Sequence, residues 1–417
     1  MCYRRFDIKV KVLCEKSLER KNVMKLRYPK YYENFACIAG ACEDTCCAGW
    51  EIDIDDKSYE YYMQVPGEFG ERIRNSIKEY QLDDEDVYES HGFILKENRK
   101  CPFLNENNLC DMILALGEDA ICDVCTYTPR NFLEYGNARE ISISPSCAEA
   151  GRLIFGSSEK VTFVEKEIEE ELDFEESEED LEIAEAIRRA RDTAIVILQN
   201  REKSIYQRIC EFLYYAKEVQ ERLNQNAFDE IPLDNIEKII EEKREQILSE
   251  TEKNEISSFG YFKLRMESFE GLDSINEEWE HYLERLRKLF LEEGGEARYE
   301  DAFAKFKVYL KEENREYEME QLMVYYAFLF LARCVDDLNF WGKAQFCVSS
   351  FLMIRDMQME RFCQNGEVYT KEDCVDIARI YAKEVEHSSE NLEFLEDEFL
   401  FEEIYQCEAL CEQVLPE

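Results

Sequence analysis

Nine cysteines fall between Cys37 and Cys147, half of the 18 in a chain of 417 residues. Such crowding restricts the fold strongly, because thiolates gathered on a metal replace part of a hydrophobic core with bonds. The first group is Cys37-x4-Cys42-x3-Cys46-Cys47, within FACIAGACEDTCCAGW. Its small residues Ala39, Gly40, Ala41 and Ala48 let the backbone fold tightly around an inorganic core. Adjacent Cys46 and Cys47 are expected to point in different directions, one to ligate and one to pack. The second group is Cys101-Pro-Phe-Leu, Cys110, Cys122-Asp-Val-Cys125 and, further on, Cys147. The two-residue gap between Cys122 and Cys125 lets one loop offer two sulfurs.

The chain has only three histidines, His91, His281 and His387, and none sits in a cysteine motif. A metal site here is therefore all-cysteine. Structural zinc usually takes two compact pairs, whereas these spacings are irregular, which favours an iron–sulfur cluster with zinc as the alternative. Nine candidates exceed the four thiolates that one cluster takes. Either some are supporting thiols or a second site exists, and the sequence leaves both open. The other nine cysteines, from Cys2 to Cys411, are scattered. Several fall on apolar helix faces, where a free cysteine acts as a small hydrophobe.

The 94 acidic and 51 basic side chains leave a net charge of −43. Such a surface repels nucleic acid and anionic membranes and suits a basic, lysine-bearing partner, or simply keeps a helical protein solvated. The most apolar run, Leu322 to Ile354, is broken by Arg333, Asp336, Asp337 and Lys343 well short of the ~20 apolar residues a membrane span needs. No signal-like apolar core opens the chain. A cytoplasmic protein is expected, in which thiols stay reduced.

The fold expected is mainly α with minor β: an irregular cysteine-rich metal-binding domain followed by a helical one. Residues 1–23 are basic and aperiodic and read as a disordered extension, with Met24 as an alternative start. Residues 24–164 hold strand-like pieces at Gly92–Lys96 and Arg139–Ser144 and helices at Asp56–Gln64 and Glu71–Tyr80. Residues 165–182, EKEIEEELDFEESEEDLE, read as an acidic linker or an exposed helix start. Over 183–417 the pattern is helical. Ile183, Ile187, Ala190, Ala194 and Ile197 share one face, and further amphipathic stretches run through Ile236–Leu248, Ile275–Leu291, Ala302–Leu310, Gln321–Val335, Gly342–Met357 and Lys371–Val385.

At the cysteine motifs the chain resembles a known family. The stretches YPKYYENFACIAGACEDTCCAGWEIDID, CPFLNENNLCDMILALGEDAICDVCTYTPRNF and SCAEAGRLI are similar to the flagellin lysine-N-methylases. FWGKAQFCVSSFLMIRDMQ looks like a helical stretch of the same family, so the likeness spans about residues 24–415. The cysteine portion is also similar to a broader group of zinc- or iron-chelating proteins. The resemblance implies S-adenosylmethionine-dependent methylation of flagellin lysines and a four-iron, four-sulfur cluster. Its ligand candidates are Cys37, Cys42, Cys46, Cys47, Cys101, Cys110, Cys122, Cys125 and Cys147. The three-cysteine signature of radical S-adenosylmethionine enzymes is missing: Cys42-x3-Cys46 gives its first gap, but position 49 is Gly49. Where the family usually has Cys-x-x-Tyr-Pro-Arg, this chain has Cys125-Thr-Tyr-Thr-Pro-Arg.

Amine methylation needs a neutral lysine, hence a proton acceptor and a channel of aromatic or carbonyl groups. Tyr31, Tyr32, Trp50, Tyr127 and Tyr135 are candidate lining residues near the cysteines, and His91 a candidate base or an exposed loop histidine. Asp53, Asp55 and Asp56 either bind a cation or end a short strand, with Asp55 or Asp56 capping the next helix. Tyr325, Tyr326, Phe328, Phe330, Phe340, Trp341 and Phe346 form either a groove for a flagellin segment or ordinary core. No glycine-rich turn marks a donor pocket, so donor site and catalytic base stay unassigned. The competing reading is a metal-binding interaction protein whose cysteine module is purely structural.

Overall fold

In the computed structural model, which describes residues 22–80, 90–97, 99–170, 177–231, 235–250 and 256–415, Asn22–Pro29 forms strand β1. It pairs antiparallel with a strand over Phe163–Glu170, setting Lys25 opposite Glu167 and Arg27 opposite Glu165. Opposite charges directly across a ladder stabilise it. The acidic run is not a linker throughout: its first residues are an edge strand paired with β1, with Glu165 held by Arg188 at 3.3 Å, and a helix begins at Glu178. Strand β1 also starts inside the stretch read as an extension, whose residues 1–21 lie outside the described residues.

The remaining strands are β2 (Asp53–Ile54), β3 (Ile77–Glu79), β4 (His91–Phe93), β5 (Arg130–Tyr135) and β6 (Ala138–Ile143), with Phe163–Glu170 as β7. One sheet has the order β5-β6-β1-β7, with β1 parallel to β6, and the other the order β2-β4-β3. The connection from β1 to β5 thus carries eight of the nine clustered cysteines, and Cys147 follows just after β6. The cysteine module is an excursion from the larger sheet.

That module holds four short helices, α1 (Asp56–Gln64), α2 (Gly67–Arg74), α3 (Asp111–Leu116) and α4 (Asp123–Tyr127). Ile52, Ile54, Tyr62, Ile73, Phe93 and Phe103 form its own small core. The helix expected over Glu71–Tyr80 ends at Arg74, because Ile77–Glu79 pairs with β4 instead. Asp55 caps α1 by accepting from the Ser58 amide at 2.9 Å, and its other oxygen accepts from the Asp123 amide at 2.9 Å. Burial pushes the Asp55 carboxyl up, but these amides outweigh it and hold the group below its usual range. Asp55→Ala should cost ~1 kcal/mol for the cap alone, and more with the α4 tether lost. A denaturant midpoint unchanged from wild type would contradict this.

The helical body comprises α5 (Ala148–Phe155), α6 (Glu178–Leu198), α7 (Ile205–Asn224), α8 (Ile236–Glu250), α9 (Ser258–Glu270), α10 (Glu277–Leu286), α11 (Gly295–Glu312), α12 (Glu316–Phe330), α13 (Phe340–Gln364), α14 (Lys371–Tyr381), α15 (Ser389–Phe401) and α16 (Cys407–Val414). Mainly α with minor β is what the chain adopts. Helices α12 and α13 are buried on nearly every side, as helices apolar all round must be. The expected aromatic groove is therefore core: Tyr325, Tyr326, Phe328, Phe330, Phe340 and Phe346 are buried, and only Trp341 is half-buried.

Several contacts tie the sheet and the segment after Cys147 to the helices, among them Arg27 of β1 with Asp192 of α6 at 2.8 Å. Helix α5 follows the last clustered cysteine yet packs in the helical core, with Gly151 so close to α14 that a Cβ would meet Val375 at 3.0 Å. Arg191 of α6, fully buried, forms a bidentate pair with Glu140 of β6, and Tyr135 donates to the same carboxylate at 2.9 Å. Among the described residues no helix is long and apolar enough to cross a membrane.

Candidate functional site

The cysteine motifs fold as their small residues suggest. Ala39–Ala41 makes a 3-10 turn, and a Cβ on Gly40 would meet the Asn107 carbonyl at 2.8 Å, so glycine lets this loop lie against the Asn105–Leu109 turn. The Ala39 amide donates to the Cys37 sulfur at 3.4 Å, and the Cys42 thiol donates to the Asp44 carbonyl at 3.2 Å. Asp44 then pairs with Arg379 at 2.5 Å and with Lys383, fastening the loop to α14 and the turn after it. The Cys101 amide donates to the Cys47 carbonyl at 2.8 Å, which brings the second motif beside the first.

All sixteen described cysteines are free thiols. The nine between Cys37 and Cys147 sort into two neighbourhoods. Cys47, Cys101, Cys110, Cys122 and Cys125 pack together in the small core of the module, with the Cys122 and Cys125 sulfurs 3.6 Å apart. Cys37, Cys42, Cys46 and Cys147 lie outside that core, and the last three all sense Cys37 electrostatically. The neighbourhoods meet at Cys46 and Cys47. Cys47 packs against that core while Cys46 lies outside it, as expected of adjacent residues, and the nearness of the two thiols pushes Cys46 up and brings Cys47 down to about 7.

Three of the nine, Cys110, Cys122 and Cys147, occupy the N-caps of α3, α4 and α5. Amides of Met112 and Ile113 donate to the Cys110 thiol, and those of Glu149 and Ala150 to Cys147. Helix N-termini favour thiolate, yet burial wins and pushes both groups up. Burial likewise takes Cys101 up to about 12. Reduced thiols whose protons are held by burial and by one another are a donor set that a bound cation would relieve. Among the described residues, no three histidine, cysteine, aspartate or glutamate groups converge as a single ion needs. The donors present, four thiols outside the core and five within it, are soft ligands of the kind that hold zinc or an iron–sulfur cluster.

A cavity of about 210 Å³ lies between the helical body and Asn131 of β5. Helix α14 passes into a π-helical turn, Ala382–Glu386, of the kind that often marks functional sites. This turn presents Glu386 and His387 to the cavity. Glu386 is buried and accepts from Tyr325 at 2.7 Å, Tyr326 at 2.9 Å and Ser144 at 3.3 Å. Burial nevertheless carries its carboxyl up to about 7. His387 Nε2 lies 3.0 Å from Ser144 Oγ and 3.1 Å from Ser146 Oγ, one residue before Cys147, and its ring meets Trp50 edge-on at 5.8 Å. Burial drives His387 down to about 3, so the imidazole is neutral.

Several candidates lie elsewhere. Tyr135 is committed to Glu140, Tyr32 accepts from Arg130 at 3.1 Å, and Tyr127 is exposed. His91 stacks on Tyr59 at 3.6 Å in the smaller sheet. Asp53 accepts from Tyr80 at 2.9 Å, while Asp55 caps α1. Of the aromatic candidates near the cysteines, Trp50 reaches the cavity's histidine.

A family model described as the FliB lysine N-methylase C-terminal domain matches residues 191–412. The chain belongs to the FliB lysine N-methylase family. The match takes in Glu386 and His387, whereas the nine clustered cysteines precede it. Two lysine-N-methylases, of Salmonella choleraesuis (strain SC-B67) and Salmonella typhimurium, are 26% identical to this FliB-family chain over 153 residues, 34% of it and 35% of each of them. The flagellar biosynthetic protein FliU of Salmonella muenchen is 25% identical over 151 residues, 33% of this chain and 81% of FliU. The alignment with the two lysine-N-methylases thus spans about a third of their length. No solved structure matches the chain.

Proposed function

We propose that this protein is a cytoplasmic, S-adenosylmethionine-dependent protein-lysine N-methyltransferase that acts on flagellin and holds an iron–sulfur cluster through cysteine thiolates. The observation that carries this reading is family membership joined to one juxtaposition: His387, which lines the cavity holding Glu386, touches Ser146, the residue before Cys147, and Trp50, whose indole donates to the Cys46 carbonyl. The names of the Salmonella relatives support lysine as the target and a flagellar connection. A surface with net charge −43 suits a lysine-bearing substrate segment.

The outer four thiols match the number that one four-iron cluster takes, and we assign the ligands to them. Bound there, a cluster would supply an electron-rich, Lewis-acidic iron centre beside the cavity. Asp44, held by Arg379 and Lys383, fixes the loop that carries Cys42 and Cys46. Trp50, buried and anchored by its indole N–H to the Cys46 carbonyl at 2.7 Å, keeps water from that side. The inner five thiols suit a second role for their half of the module, because they are embedded in its local core. That embedding also supports the alternative of a structural zinc- or iron-binding protein without catalysis.

Anaerobic, iron-loaded protein incubated with flagellin and methyl-labelled S-adenosylmethionine tests the reading. Label on flagellin lysines is expected, and flagellin free of label overturns it. A brown protein that bleaches on reduction supports the cluster, whereas a colourless zinc-loaded one supports the structural alternative.

A further inference from the structure

The cavity beside the π turn has the chemistry of an amine pocket. Its apolar walls are Phe330 and Phe346, both buried. Five carboxylates line it, Asp336, Asp337, Glu386, Glu393 and Glu396, against two cations, Arg333 and Lys343. Lys343 is already engaged by Asp337 at 3.0 Å and Glu396 at 2.6 Å. The field inside therefore favours a cation, and neutral His387 does not oppose one. At about 210 Å³ the space holds several water molecules, or a short alkyl chain with a charged head.

We propose that this cavity binds the side chain of the substrate lysine, its methylenes along Phe330 and Phe346, with Glu386 as the group that receives the ammonium proton. The inference rests on the methyltransferase reading and deepens it. Tyr325 and Tyr326 hold the carboxylate from α12 and Ser144 from the end of β6, so it is fixed in place before substrate arrives. The ammonium passes one proton to the Glu386 carboxylate. The freed nitrogen lone pair attacks the methyl carbon of the sulfonium donor, a C–N bond forms, and the C–S bond breaks with its electrons to sulfur, leaving a thioether. The proton then leaves Glu386 for solvent.

The groups facing Glu386 are Tyr325, Tyr326, Tyr381, Ser144, Arg333 and His387. Burial outweighs the three hydroxyl donors and Arg333 and keeps the carboxyl near 7, a value suited to a base at neutral pH. Because this folded value lies above the unfolded one, the group stabilises the fold at low pH. That contribution fades as pH rises from the ordinary glutamate range through about 7.

The test uses the full chain, its Glu386→Gln variant, and Asp336→Asn, which changes an exposed rim carboxylate with little risk to folding. Calorimetry with N-acetyl-lysine amide at pH 6 and pH 8 should show binding to wild type that depends on pH. It should be at least tenfold weaker and independent of pH in E386Q, and severalfold weaker in D336N. Equal affinity in wild type and both variants overturns the pocket. In the flagellin assay, E386Q should lose 10²-fold or more in kcat, on the order expected for a general base, and the rise in rate through neutral pH. An unchanged E386Q rate and pH profile sinks the inference and leaves the methyltransferase reading intact. Glu386-dependent amine binding with no methyl transfer by wild type upholds the pocket and sinks that reading.

Discussion

Serine at Cys42 or Cys46 is expected to leave a folded protein that has lost its iron and, with it, on the order of 10²-fold or more in methyl transfer. Both thiols lie outside the small core of the module, so exchanging sulfur for oxygen removes a soft ligand without opening an apolar cavity. Serine at Cys101 or Cys122 should behave in the opposite way. These sulfurs are buried among Ile54, Tyr62, Phe93 and Phe103, and taking a smaller, more polar hydroxyl out of water there should cost ~1–3 kcal/mol, of which the Phe103 amide facing Cys101 at 3.4 Å returns only part. Iron content, visible absorption and a thermal melt on the four variants separate the cases. If the inner variants lose iron at full stability while the outer ones keep it, the ligands have been assigned to the wrong group.

Arg191→Met should be the most damaging substitution away from the thiols. The guanidinium is fully buried, packs over Phe328 at 4.8 Å and satisfies Glu140, the one carboxylate on the inner face of β6. Removing it leaves a buried anion with only Tyr135 as a donor, at an expected cost of ~3–5 kcal/mol. The double variant Arg191→Met, Glu140→Gln should recover much of that loss, since no uncompensated charge remains. Denaturant unfolding of the two single variants and the double one measures the coupling. Strictly additive losses would mean that the pair does not join sheet and helices as described.

Much of this architecture is legible in the sequence because it follows from periodicity. Each amphipathic stretch between Ile183 and Val385 became a helix, and Ile52 and Ile54 turned inward with Asp55 capping α1. What was not legible depended on partners far away in the chain. The acidic residues after Phe163 form a strand by pairing with Asn22–Pro29, far back in the chain. Ile77–Glu79 left the helical pattern of Glu71–Tyr80 for a place beside β4.

The site divides in the same way. The cysteines announced themselves by number and spacing, and three-dimensional packing then split them into two neighbourhoods that spacing could not separate. Glu386 gave almost no signal. In a chain with 94 acidic side chains, one more glutamate after an apolar helix reads as solvated surface. A glutamate and a histidine placed directly after the amphipathic stretch Lys371–Val385 is the cue that was available, and only the fold shows that both line a cavity.

In the proposed function the thiols outside the core and the Glu386 cavity form one methyl-transfer site. Peptide mass mapping of flagellin after anaerobic incubation with S-adenosylmethionine and wild type, C46S or E386Q decides it most directly. Methylated lysines are predicted with wild type and at most traces with either variant, although E386Q should still contain its iron. Equal methylation by all three proteins, or none by iron-loaded wild type, would contradict the account.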